Sequence, residues 1–211
     1  YFGIRLRVKF GLIILLWAIF LGRCSDPYEV RVHETGQDVY AQRPSVDTFL
    51  NRWFMHPDRK EMILKGNNYP VYLVMCDGGA SKSGYWVASV LSKLEKEKPG
   101  ERFSSHVLSL AGASGGSVGN AAFYAMLRES PHPRDSFFIE SRRFFDTDLL
   151  SHTLSHYLGL DLVRHLFPFR ATDRAAALEE SMETARGDVI HHYFSKPLNQ
   201  VLGYSRKLPL L

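Results

Sequence analysis

The stretch 107–119, VLSLAGASGGSVG, decides the fold. Residues 107–111 are apolar or small and read as a buried strand, 112–119 as a glycine-rich turn, and the small and apolar residues 120–127 as a packed helix. Within the turn, Gly112-Ala113-Ser114-Gly115-Gly116 matches the G-x-S-x-G pattern of a nucleophile elbow. A serine on so sharp a strand-to-helix bend takes a strained backbone, and only small neighbours escape the adjoining strand and helix. The following helix aims its free N–H groups at the charge that develops on an attacked carbonyl. A second match, Gly115-Gly116-Ser117-Val118-Gly119, overlaps the first. Ser114 falls where the turn belongs, whereas Ser117 falls in the first helical turn, where a hydroxyl serves the backbone. Ser114 is the candidate nucleophile.

Working upstream, 71–84 reads VYLVMCDGGASKSG. Residues 71–76 follow Pro70 and are expected to form a second buried strand, and Asp77 to Gly84 a glycine-rich loop. Apolar residues at Val87, Val90, Leu91 and Leu94 are spaced for one face of a helix over 85–98. Strand, glycine loop, helix, strand, glycine turn, helix is the order of a parallel α/β architecture. Loops after neighbouring parallel strands emerge on one edge, so the Asp77 loop and the Ser114 turn are expected to meet. Successive amides there form an anion-binding concavity. Gly78 and Gly79 would offer N–H groups to an oxyanion, and Lys82 would add positive charge. A phosphate loop is excluded: Ser81 stands where that motif needs glycine before its Lys-Ser.

The flanks are less specific. Residues 10–21, FGLIILLWAIFL, carry no charge and follow Arg5, Arg7 and Lys9. A membrane-spanning helix over 1–22 is expected if the basic side chains reach back to the headgroups, since crossing takes roughly 20 residues. Residues 23–69 are polar, broken by Pro27, Pro44 and Pro57, and read as a connector apart from one or two amphipathic turns over 47–54; 70–211 is the folded domain. Within it, Asp173 is positioned to cap a helix that Gly187 would stop. Hydrophobic residues at 45% and charged residues at 23% argue against disorder, and a net charge of +4 without a dense basic block gives no nucleic-acid footprint. Cys24 and Cys76 make neither a disulfide framework nor a zinc site; Arg23 argues against lipidation at Cys24, and Cys76 reads as a buried, inert thiol.

Asp77-Gly78-Gly79 with a basic residue soon after, followed by Gly112-Ala113-Ser114-Gly115-Gly116-Ser117, is similar to the patatin-like phospholipases, and more closely to bacterial membrane-anchored members. Residues 69–127 carry the specific match, which extends less diagnostically to residue 186. The resemblance implies a three-layer α/β/α fold with a parallel central sheet, preceded by a hydrophobic helix, and hydrolysis of phospholipid or another acyl-ester lipid by a Ser–Asp dyad at a membrane, such as the bacterial inner membrane. Ser114 would attack, and the amides of Gly78, Gly79, Ala80 and Gly115 would hold the oxyanion, with no metal or other cofactor. Two positions depart from the pattern: Ala80 replaces the third loop glycine and Lys82 the usual arginine, which gives a point charge in place of a fork. The dyad aspartate normally sits in a later Asp-Gly-Gly or Asp-Gly-Ala. The only Asp-Gly here is Asp77-Gly78, so the acid is expected beyond Leu211 or lost. The chain, starting at Tyr1, is expected to be an inactive internal piece of a longer enzyme.

Other arrangements are weaker. His191 and His192 follow Ser114 with Asp148, Asp161 and Asp173 between, the chain order of an α/β-hydrolase triad. His152 and His156 share a helix face at a zinc-compatible spacing, without a clear third ligand. A non-catalytic membrane protein that keeps the fold and binds lipid or a partner is the alternative to an enzyme.

Overall fold

The structure is a computed structural model and describes residues 9–24, 44–66, 68–97, 102–131, 133–161, 163 and 173–196. The basic residues Arg5 and Arg7, residues 25–43 of the connector and the C-terminal residues 197–211 lie outside the described residues, as does the side chain of Cys24. The chain divides into two compact units. One comprises Tyr1–Asp38 with Leu150–Ser181, the other Val39–Leu149 with Met182–Leu211.

The second unit is α/β, mostly helical around a small parallel sheet. Two helices, α2 (Val46–Phe54) and α3 (Pro57–Leu64), lead into β1 (Tyr72–Cys76), followed by α4 (Ala80–Glu97), a short α5 (Phe103–His106), β2 (Val107–Gly112) and α6 (Gly115–Glu129). After a 3₁₀ turn at Arg134–Ser136 come α7 (Phe137–Phe145) and, later in the chain, α10 (Ile190–Phe194). β1 and β2 pair in parallel, with Leu73 opposite Ser109 and Cys76 opposite Gly112, and the register slips once between Tyr72 and Leu73. A parallel pair needs a crossover, and α4 supplies it.

The core lies on one side of this sheet. Val87, Ala88 and Leu91 of α4 pack with Ala122, Phe123 and Met126 of α6 and with Phe137 and Phe144 of α7. Each large side chain so buried contributes about 1.5–3 kcal/mol. α4 and α6 cross in close contact because both carry glycine at the crossing. A Cβ on Gly119 would lie 2.5 Å from the Gly84 carbonyl oxygen.

Expectation and structure part company at β1. Successive strand side chains point to opposite faces. Val74 and Cys76 pack on the core, but Leu73 is 65% and Met75 84% exposed. The strand is therefore buried on one face only. Cys76 is half-buried, and its thiol donates to Asn120 Oδ1 at 3.4 Å. Burial pushes that thiol up, the Asp77 charge adds to the rise, and the Asn120 bond opposes it.

The connector is also more ordered than its composition indicates. Ser45 caps α2 by accepting from the Thr48 amide at 3.2 Å. Trp53 is fully buried, with the Arg59 guanidinium 3.9 Å above its ring. Arg59 Nε and the Tyr69 hydroxyl both donate to the Ser105 carbonyl at 2.9 Å, which fastens this helical pair and the approach to β1 onto α5, just ahead of β2.

In the first unit, α1 (Phe10–Cys24) is apolar and exposed along its described length. Its 15 residues span ~22 Å at ~1.5 Å per residue, against a hydrocarbon layer of ~30 Å. Among the described residues no helix is long and apolar enough to cross a membrane. The unit also holds α8 (Ser151–Ser155), which widens into a π-helical turn at His156–Asp161, and the start of α9 (Arg174–Glu183). Asp173 caps α9 as expected, accepting from the Ala176 amide at 2.8 Å. The helix stops at Glu183, four residues before Gly187.

Gly187 sits instead against Glu140, a buried carboxylate on α7 that accepts from the Asp188 amide at 2.6 Å and the Val189 amide at 3.0 Å. Leaving a buried donor unpaired costs about 1–3 kcal/mol. Glu140→Ala is expected to lower unfolding free energy by at least ~2 kcal/mol in urea titration, and Glu140→Gln, which keeps an acceptor oxygen, by clearly less.

Candidate active site

The candidate site is built where the two strands end. Paired at Cys76 and Gly112, they release their chains at the same edge, and the Ala113 amide donates to the Cys76 carbonyl at 3.0 Å. The chain then reverses through Ser114, whose φ of 49° and ψ of −124° place a residue with a side chain in the left-handed half of the map. Strain of this kind costs about 1–3 kcal/mol and persists where the surroundings enforce it. Here they do. The Gly116 and Ser117 amides donate to the Ala113 and Ser114 carbonyls at 2.9 and 3.0 Å, starting α6 immediately after the bend.

Small residues are required by what lies opposite. A Cβ on Gly115 would stand 1.9 Å from the Ala80 carbonyl oxygen, and one on Gly116 2.6 Å from that of Asp77. No side chain fits at either position. On the facing loop, a Cβ on Gly78 would lie 3.2 Å from Ser114 Cβ and 3.9 Å from its Oγ. The two turns therefore meet, with Gly78 against the serine.

The Asp77 loop is shorter than its composition indicates. α4 begins at Ala80, so only Asp77, Gly78 and Gly79 are loop, and Ser81, Lys82, Ser83 and Gly84 form the first helical turns. Ser83 closes the loop: its hydroxyl donates to the Asp77 carbonyl at 2.6 Å and its amide to Gly79 at 3.2 Å. Ala80 has a φ of 52°. The methyl thus sits where the backbone favours glycine, which is the cost of the departure at this position. Lys82 is exposed on the first turn of α4 and makes no ion pair among the described residues.

The N-termini of α4 and α6 both open onto this junction, which places partial positive charge there. Among the described residues no backbone hydrogen bond is donated by the Gly78, Gly79 or Gly115 amides. Ser114 is exposed, whereas Ser117 donates its hydroxyl to the Gly112 carbonyl at 2.6 Å and is occupied in holding the turn. Both serines are exposed, and among the described residues only the first match leaves its hydroxyl without a hydrogen bond. Chemically, the junction offers an accessible hydroxyl beside a cluster of uncommitted amide donors.

Among the described residues no proton acceptor is part of it. Among the described residues no carboxylate or imidazole hydrogen-bonds to Ser114. His191 and His192 lie on α10 with their rings 4.1 Å apart, Asp173 caps α9, and Asp161 faces Arg174 at 3.8 Å. The His152 and His156 rings meet at 4.7 Å, and His152 Nδ1 lies 3.9 Å from Glu180. Among the described residues no group of three or more His, Cys, Asp or Glu side chains could hold a metal ion.

Asn120 is a supporting residue that the motifs do not announce. Buried on α6, it donates to the Ala111 carbonyl at 3.0 Å and accepts from the Cys76 thiol, joining both strand ends to the helix behind the serine. An amide side chain in an otherwise small and apolar helix start was the available signal.

No family model matches the chain, and no curated protein and no solved structure matches it.

Two substitutions separate strain from contact. Ala80→Gly is expected to raise unfolding free energy by about 0.5–1 kcal/mol, because the positive φ no longer opposes a Cβ. Gly115→Ala is expected to prevent native folding, seen as loss of the cooperative thermal transition.

Proposed function

We propose that the chain carries the nucleophile and the oxyanion-holding loops of a serine lipid acyl hydrolase of the patatin-like type, in a three-layer α/β/α domain. The observation that carries this reading is the strained, exposed Ser114 packed against Gly78 at the common edge of two parallel strands. Ser114 Oγ attacks the acyl carbonyl carbon as its proton is taken up. The carbonyl electron pair moves onto oxygen, which accepts from the Gly78, Gly79, Ala80 and Gly115 amides. Collapse of the tetrahedral intermediate breaks the ester C–O bond and releases the lipid alcohol with a proton. Water then attacks the acyl-serine by the same route and frees the fatty acid. Lys82 adds positive charge near the developing anion. The proton acceptor in this reading is an aspartate supplied from beyond Leu211. No metal or other cofactor takes part.

The exposed apolar helix α1 supports a membrane-bound setting, with phospholipid or another acyl-ester lipid as substrate class. A second reading, a lipid- or partner-binding protein without turnover, is supported by the lack of any base on Ser114 among the described residues and by the methyl of Ala80 at the amide cluster.

Fluorophosphonate labelling of the full-length protein separates the two. The enzyme reading expects covalent labelling that is lost in Ser114→Ala and kept in Ser117→Ala. Labelling that survives Ser114→Ala removes Ser114 as the nucleophile. Gly78→Ala, which pushes a methyl against the serine, is expected to slow labelling about 100-fold, the order of loss that small misplacements at a reacting group produce.

A further inference from the structure

The segment 150–161 turns its apolar side chains outward. In α8 and the π-helical turn that continues it, the half-buried side chains are all polar: His152, Thr153, His156 and Asp161. Exposed beside Ser151 and Ser155 are Leu150, Leu154, Tyr157, Leu158 and Leu160, and Val163 beyond the turn, with Leu154 53% and Leu158 68% accessible. Positions 150, 154, 157 and 158 fall at the spacing of a single helical stripe. A stripe of this kind normally faces a protein core. Here the apolar side faces out, while on the partly covered side His152 meets His156 and lies 3.9 Å from Glu180.

This stripe belongs to the same compact unit as α1. In α1, the consecutive residues Leu12, Ile13, Ile14, Leu15 and Leu16 are all exposed. At about 100° per residue they cover the whole circumference. A partner helix or groove covers one side of such a helix; hydrocarbon surrounds it. Charge points the same way. Residues 151–172 contain a single acid, Asp161, against Arg164, Arg170 and three histidines. That acid faces Arg174, whose guanidinium also lies 5.2 Å from the Tyr157 ring. Aromatic and aliphatic side chains beside arginine match the boundary between headgroups and acyl chains.

We infer that residues 150–161 are a second lipid-contacting element, seated in the interface of an anionic bilayer in addition to α1. The inference rests on the membrane part of the proposed function and is independent of the chemistry at Ser114. It goes beyond a single N-terminal attachment: two points of contact fix the unit's orientation on the surface, where one leaves it free to swivel.

The experiment places an environment-sensitive nitrobenzoxadiazole probe at Leu15→Cys, Leu158→Cys or Glu179→Cys, each in a Cys24→Ser/Cys76→Ser background. Each protein is mixed with vesicles of phosphatidylcholine and phosphatidylglycerol in equal parts. The expected result is a blue shift and several-fold brightening at positions 15 and 158, none at 179, and quenching at 158 by lipids brominated near the headgroup. Entry at 15 with position 158 left in water overturns the inference and leaves the membrane reading standing. Both positions left in water overturns the two together. A probe at 158 already shielded without vesicles, or shielded in proportion to protein concentration, overturns it in favour of cover by protein. Ser114→Ala is expected to change none of these readings.

Discussion

Everything at the strand ends depends on one close approach, the backbone of residues 115–116 against the carbonyls of Asp77 and Ala80. Two polypeptide turns come within the distance that only hydrogen on Cα allows. That contact sets the serine's unusual backbone angles, brings Gly78 beneath its side chain and lets two helix ends open onto one point. Behind it, Asn120 and Ser83 hold the carbonyls and the thiol that would otherwise be left unpaired. The cost of this crowding is borne by the apolar packing of α4, α6 and α7, which does not involve the turn itself.

The strand–turn–helix pairs, the parallel pairing and the meeting of the two turns were legible in the sequence because glycine spacing and apolar runs are local signals with few structural solutions. The start of α4 was not. Ala80, Ser81 and Ser83 look like loop residues, and only the Ser83 bond to Asp77 turns them into helix. Of the helical pair at 46–64, only an amphipathic turn or two at 47–54 was legible; the rest was hidden for a related reason, since its stability comes from Trp53, Arg59 and the distant Ser105 carbonyl, contacts far apart in sequence. For the candidate site, the motif and its place after the strand indicated Ser114, and the Ser117 hydroxyl is bonded to the Gly112 carbonyl, the backbone role that its position in the first helical turn suggested.

The half-covered sheet bears on architecture. Parallel sheets are ordinarily buried on both faces, and β1 leaves Leu73 and Met75 uncovered among the described residues. A third layer therefore belongs to the proposal, while the helical layer and the sheet are observed. The apolar exposure of the other unit is of a different kind, confined to helices and flanked by basic residues, which is why lipid fits it better than a missing layer of protein.

The chain's three tryptophans divide its optical behaviour cleanly. Trp17 lies on α1, whereas in the unit that carries Ser114 Trp86 faces solvent and Trp53 is sealed beneath a guanidinium. Most of that unit's emission change on denaturation therefore originates from one indole, and it reports detachment of the helical pair that precedes β1. A melting curve followed by intrinsic fluorescence would be nearly blind to events around the serine, and loosening there would have to be followed by amide exchange.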